Sequence, residues 1–119
     1  ITNQPELTRG NLKLSVLNKM HQYLSKKTDI KKIYFCPHDN FNNCDCRKPK
    51  PGMILDAIRD YNIDIKKSYL VGDRKNDIDA ANQIKLKSFF IDRKYDEQKP
   101  KRYIKKVKNL YEVLNFIKF

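Results

Sequence analysis

Two residue pairs, Cys36-Pro-His38 and Cys44-Asp-Cys46, stand five residues apart and hold every cysteine of the chain. Three thiols and an imidazole are the soft and borderline ligands that zinc gathers in a tetrahedron, with sulfur at about 2.3 Å and nitrogen at about 2.1 Å. Both pairs are tighter than the usual two-residue finger spacing, so each would grip the ion from a bend. Four protein ligands leave no position for water, and the expected zinc is therefore structural, clipping a loop with little core of its own. The competing reading is three unrelated cysteines and a surface histidine. An odd cysteine count, with two thiols one residue apart, does not suit a disulfide scaffold and fits a metal site in a reducing compartment.

Three further stretches carry polar chemistry. "RKPKPG" follows the last cysteine and offers Arg47 as a bidentate phosphate fork and Lys48 as a compact point charge, on backbone stiffened by proline. In "VGDRKND", Asp73 ends an apolar run, and Asp77 lies four residues on. A strand-end Asp with a second Asp four residues on suits magnesium, which takes one or two carboxylates plus phosphate and water; taken by itself the motif reads more often as an Asp that caps the following helix. "TNQ", Thr2 to Gln4, offers a hydroxyl, amides and backbone N–H groups to a phosphate, or is an ordinary turn. The basic run by itself also reads as solvated surface. His21 reads as a partly buried structural residue on its helix.

These residues need elements to position them. Leu12, Val16, Leu17, Met20 and Leu24 share one helical stripe, and "KKIYF" reads as a short strand entering the cysteine loop. Ile54, Leu55, Ile58 and Tyr61 give a second helix, "SYLVGD" a strand with a Gly-Asp turn, and "NDIDAANQI" a short helix. "KSFFID" is a further strand, and "NLYEVLNFIKF" a closing helix with Leu110, Val113, Leu114 and Ile117 inward. Alternating strands and helices predict an α/β fold with a parallel sheet. Ile1 and Thr2 read as the end of a strand.

At 119 residues the chain has room for one domain or a piece of one. Its net charge of +12, from 26 Lys and Arg against 14 Asp and Glu, favours an anionic partner, nucleic acid or a phosphorylated small molecule. Many lysines fall on solvent faces and in the stretch from Lys99 to Lys108, so charge alone does not choose. No apolar run approaches the roughly 20 residues of a membrane helix. The opening "ITNQPELTRG" lacks a signal-peptide pattern, and the expected location is cytoplasmic.

In their order, "TNQPELTRG", "CPH…CDCRKPKPGM" and "VGDRKNDIDAA" resemble the haloacid dehalogenase superfamily of phosphatases. The similarity runs from residue 1 to about 92 and is sharpest toward the subgroup acting on heptose bisphosphates and histidinol phosphate. It implies a single domain over 1–119 with a Rossmann-like parallel sheet, helices on both faces and a zinc-clipped loop. It also implies a magnesium-dependent phosphomonoesterase working through an aspartyl-phosphate. By motif, Thr2 would bond the transferring phosphoryl group and Lys48 would neutralise it, both as catalytic residues. Asp73 would ligate magnesium, Arg47 would recognise the substrate, and Asn3, Gln4 and Arg74 would line its pocket. Cys36, His38, Cys44 and Cys46 would hold zinc.

The family's first motif, a strand ending in Asp-x-Asp, does not precede Ile1, and Asp77-Ile-Asp79 begins a helix. The expectation is a fragment lacking its first strand and roughly forty to sixty upstream residues. Such a piece is expected to bind magnesium poorly, to aggregate and to show no phosphatase activity by itself. The function implied is removal of the 7-phosphate of D-glycero-D-manno-heptose 1,7-bisphosphate, for lipopolysaccharide or another surface glycan. The substrate would be a small phosphorylated sugar and the protein a monomer, with neither membrane nor nucleic acid as partner. Histidinol-phosphate phosphatase competes through the short zinc loop, while "KPKPGM" tilts toward the heptose reaction. A polynucleotide 3′-phosphatase shares "TNQ…RG" but not the zinc clip. A basic zinc-binding nucleic-acid module lacks interleaved stacking aromatics and leaves Gly72-Asp73 unexplained.

Overall fold

In "LKSFFI", Leu86 to Ile91, four of six residues are apolar and three of them, Phe89 to Ile91, are consecutive, as suits a strand covered on both faces rather than one. In the computed structural model, which describes residues 1–117, this run contains such a strand. The elements are β1 (Thr2–Asn3), α1 (Leu14–Lys27), β2 (Phe35–Cys36), α2 (Gly52–Tyr61), β3 (Tyr69–Gly72), α3 (Lys75–Gln83), β4 (Lys87–Ile91), β5 (Lys105–Val107) and α4 (Leu110–Val113). They divide into two compact units, the first being Ile1–Arg47 and the second beginning at Lys48. Among the described residues all strand pairing is parallel.

In the second unit the order is β3-β4-β5, with Leu70 opposite Ser88 and Phe90 opposite Lys106. On one face of β4, Phe90 joins Leu70, Ile54 of α2, and Ile78, Ala80 and Ala81 of α3. On the other, Phe89 and Ile91 meet Val107 and Val113 of α4. Helical residues therefore cover both faces, as expected of the α/β pattern. Two inward faces differ from the helical spacing. Met53 and Ile54 carry the burial of α2, while Leu55 and Tyr61 are exposed. In α4 Val113 is buried and Ile117 packs nearby, whereas Leu110 and Leu114 face solvent because the helix is a single turn. The end of the expected closing helix, Lys118 and Phe119, lies outside the described residues. β5 was hidden in the lysine-rich stretch: only Val107 is buried, and its two lysines are exposed.

In the first unit β1 pairs with β2, Thr2 opposite Phe35 and Asn3 opposite Cys36. The Thr2 and Gln4 amides donate to the Tyr34 and Cys36 carbonyls at 2.9 and 2.7 Å. The strand expected over "KKIYF" thus pairs only at its end, because β1 is two residues long. The stripe of α1 buries Leu17 alone, and Met20 remains 57% exposed. A two-stranded sheet is too narrow to cover Val16, Met20 and Leu24; with Ile1, Ile30 and Ile33, Met20 and Leu24 line a groove of about 750 Å³. The His21 ring is half-buried against Phe35, 5.6 Å between centroids. Among the described residues no helix is long and apolar enough to cross a membrane.

Candidate functional site

β2 ends on Cys36, and beyond His38 the chain turns through the five residues that separate the two ligand pairs. Asp39 accepts from the Asn40 amide at 2.7 Å, and its own amide donates to Asn42 Oδ1 at 2.8 Å, a reciprocal cap on a short 3₁₀ turn. Asn43 follows in the left-handed conformation, φ 49°, which asparagine tolerates well. This tight reversal returns Cys44 and Cys46 to Cys36. Cys36 Sγ lies 3.6 Å from Cys44 Sγ, 2.9 Å from Cys46 Sγ and 3.5 Å from His38 Nδ1, with His38 Nδ1 3.3 Å from Cys46 Sγ. All four ligand atoms fall within 4.8 Å of one another. A tetrahedron with bonds of about 2.3 Å has edges of about 3.8 Å, so the cluster could hold a metal ion of zinc's size.

Its electrostatics suit a cation. Cys44 is lowered to about 6: burial resists its ionisation, but the Arg47 amide and the Cys46 and Cys36 thiols outweigh it. Burial pushes Cys36 up and, with the neighbouring sulfurs, lifts Cys46 to about 12. Thiolates this close repel, and a divalent cation is what lets several ionise together. Arg47 braces the loop from outside, donating from Nε to Asn40 Oδ1 at 2.8 Å and from Nη1 to the His38 carbonyl at 3.1 Å. Arg9 Nε bonds buried Asp39 at 2.5 Å and holds that carboxyl below its ordinary value. Thr8 donates to the Pro37 carbonyl at 2.7 Å. Beside the cluster, at the end of β1, the Thr2 hydroxyl accepts from Gln4 Nε2 at 3.1 Å.

The second unit presents the other set, at the carboxyl end of β3. Lys48 Nζ is ion-paired with Asp77 Oδ1, both side chains largely buried. The other oxygen of Asp77 accepts from the Asp73 and Arg74 amides at 3.2 and 3.0 Å, capping α3. Asp77, expected as a second carboxylate beside Asp73, is thus committed to the lysine and the helix end. Gly72 makes room for it, since a Cβ there would stand 2.3 Å from Asp77 Cβ. Asp73 is half-buried and accepts from the Tyr95 hydroxyl at 2.9 Å, a bond that raises the Tyr95 pKa. Tyr95 also lies under Arg74, 4.1 Å from guanidinium to ring. Glu97 pairs with Arg74 Nη1 at 3.0 Å and accepts from the Lys75 amide at 3.0 Å.

The expected residues therefore fall into two groups. Thr2, Asn3, Gln4, Arg47 and the four metal-type ligands belong to the first unit; Lys48, Asp73 and Arg74 belong to the second. Sequence reasoning missed Arg9, Asp39, Tyr95 and Glu97. The Asn- and Asp-rich "DNFNN" was a usable turn signal for Asp39. Tyr95 and Glu97 act across more than twenty residues, which no local pattern reports.

The chain matches a family described as HAD-hydrolase-like over residues 45–110. It is 38% identical, over 98% of its length, to the D-glycero-α-D-manno-heptose-1,7-bisphosphate 7-phosphatase of Campylobacter jejuni, spanning 69% of that protein. It is 33% identical, over 99% of its length, to the D-glycero-β-D-manno-heptose-1,7-bisphosphate 7-phosphatase of Helicobacter pylori strain J99, spanning 71% of it. A solved structure, the D,D-heptose 1,7-bisphosphate phosphatase from B. bronchiseptica complexed with magnesium and phosphate, is similar at a TM-score of 0.69 and 33% identity. That similarity covers 74% of this chain and 52% of the other, about half its length. Matched by the family over more than half its residues and by these relatives along nearly all of them, the chain belongs to the haloacid dehalogenase-like hydrolases, among their phosphatases.

Proposed function

We propose that the protein is a magnesium-dependent phosphomonoesterase that removes the 7-phosphate of a D-glycero-D-manno-heptose 1,7-bisphosphate. It would act as a cytoplasmic monomer in supplying heptose to lipopolysaccharide or another surface glycan. The observation that carries this reading is the end of β3, where Asp73 stands beside the buried Lys48–Asp77 pair in a chain whose relatives are named for the reaction. Lys48 serves as a fixed positive charge in a shielded position, where it favours the charge that develops on a transferring phosphoryl group. Asp73 would hold magnesium, which when bound neutralises and orients phosphate oxygens. Arg74 contributes a guanidinium to substrate recognition. In the first unit, Thr2 offers its hydroxyl to the phosphoryl group, while Asn3, Gln4 and Arg47 contact the substrate. Cys36, His38, Cys44 and Cys46 would hold one structural zinc, supported by their mutual distances and their chemistry.

The test is phosphate release by the protein expressed from its natural reading frame, on the α and β anomers of the bisphosphate. One equivalent of phosphate, released only with magnesium and leaving the 1-phosphate intact by ³¹P NMR, supports the proposal. Turnover of histidinol phosphate or a 3′-phosphorylated oligonucleotide, with neither heptose anomer cleaved, overturns it.

A further inference from the structure

The connection between β4 and β5 returns across the end of β3 and places two side chains on residues assigned above. We propose that Tyr95 is a positioning residue that aligns the Asp73 carboxylate for magnesium and that, with Glu97, it fixes the Arg74 guanidinium for an anionic group of the substrate. The inference deepens the phosphatase reading and rests on its assignment of Asp73 to magnesium.

A carboxylate at a strand end turns about its terminal bond, and an exposed arginine samples many rotamers. Here the Tyr95 hydroxyl donates to Asp73 Oδ2 at 2.9 Å, which leaves Oδ1 outside that bond and restrains rotation of the carboxyl group. The face of the same ring lies 4.1 Å from the Arg74 guanidinium, and Glu97 takes Arg74 Nη1 at 3.0 Å. Glu97 spans a single site on Arg74, so the fork keeps donors for a phosphate. One phenol thus touches both residues at once, through its oxygen and through its ring.

The connection itself is anchored, so these contacts are not those of a free loop. Asp92, at the end of β4, accepts from the Lys94 amide at 3.0 Å and from Lys99 Nζ at 3.2 Å. Lys99 also donates to the Tyr95 carbonyl at 3.1 Å, tying the backbone that bears the ring. Outer partners of metal-binding carboxylates set their orientation, and losing one weakens metal binding by about 10- to 100-fold.

Two contacts from one residue allow a test that separates them. Mn²⁺ binding to the zinc-loaded protein, expressed from its natural reading frame, is followed by electron paramagnetic resonance, beside steady-state kinetics. Tyr95→Phe removes the hydroxyl and keeps the ring; it should weaken Mn²⁺ binding about 10-fold or more while leaving KM for the sugar phosphate near its original value. Glu97→Gln should do the reverse, raising KM several-fold with Mn²⁺ binding unchanged. Tyr95→Leu should show both losses. Asp73→Asn is the reference. If it abolishes Mn²⁺ binding while Tyr95→Phe leaves binding intact, Tyr95 is not a positioning residue and the inference falls alone. If Asp73→Asn itself leaves Mn²⁺ binding intact, the magnesium assignment falls and the inference with it. Equal losses of binding and KM in Tyr95→Phe and Glu97→Gln would mark a merely structural contact and overturn the proposal.

Discussion

Asp77 holds a lysine with one oxygen and a helix end with the other, and its backbone neighbour across the turn can only be glycine. Asp77→Asn keeps the shape and removes a counter-charge from a largely buried ammonium. Losing one member of such a pair costs about 3–5 kcal/mol, far more than the pair adds over an apolar substitute. Gly72→Ala drives a methyl into the same carboxylate, at about 1–3 kcal/mol for an overpacked site. Both variants should therefore lower the denaturation midpoint, Asp77→Asn more, and should lower turnover as Lys48 loses its fixed position. Wild-type stability in Asp77→Asn would show that Lys48 is charge-balanced elsewhere. Gly72-Asp73 was legible as a strand-end turn, because an apolar run stopped there. The reason for the glycine was not, since it lies in a side chain one helical turn further on. The zinc-type quartet was fully legible, because its four ligands sit within eleven residues and chemistry limits what they can do.

At the scale of elements, β4 organises the second unit by being buried on both faces, and Ser88 is where that arrangement fits least well. Its side chain is 1% exposed, and its hydroxyl has no hydrogen-bond partner among the described residues. A buried hydroxyl without a partner costs free energy that an alanine does not, so Ser88→Ala should stabilise the protein by about 1 kcal/mol. Chemical denaturation measures this directly; a loss of stability would mean that Ser88 has a polar partner in solution. The strand itself was readable from its consecutive Phe89, Phe90 and Ile91. β5 was not, because its one buried residue, Val107, stands beside two lysines that face solvent. Lysines on a strand at the end of a sheet discourage pairing with other chains. The feature that makes β5 a safe edge is therefore the one that made it look like a solvated tail. The exposed stripe of α1 misled in the opposite sense: periodicity reports which face is apolar, not how much sheet is there to cover it.

Over the whole chain, apolar burial is divided unevenly. The second unit has two clusters built around Phe89 and Phe90, whereas Leu17 and Cys36 are the only buried apolar side chains described in the first. The +12 charge does not offset that difference, because exposed lysines are screened beyond roughly 8 Å at physiological salt. Much of what orders residues 1–47 is therefore polar, including the β1–β2 ladder, the Arg9–Asp39 bond, the capped "DNFNN" turn and the Cys/His cluster. A structural zinc binds the folded arrangement more tightly than the unfolded one, and that difference in binding free energy becomes folding free energy for the part that holds it. Stripping the metal with a strong chelator should therefore act regionally. Amide hydrogen exchange should show protection lost around Cys36, Cys44 and β1, while β3, β4 and α3 stay protected, and added zinc should restore the first region. The same pattern should follow from Cys36→Ser without chelator, since Cys36 is the fully buried ligand. Protection lost equally in both regions would mean that the metal supports the second unit as directly as the first, and unchanged protection would remove the cluster from the forces that hold residues 1–47.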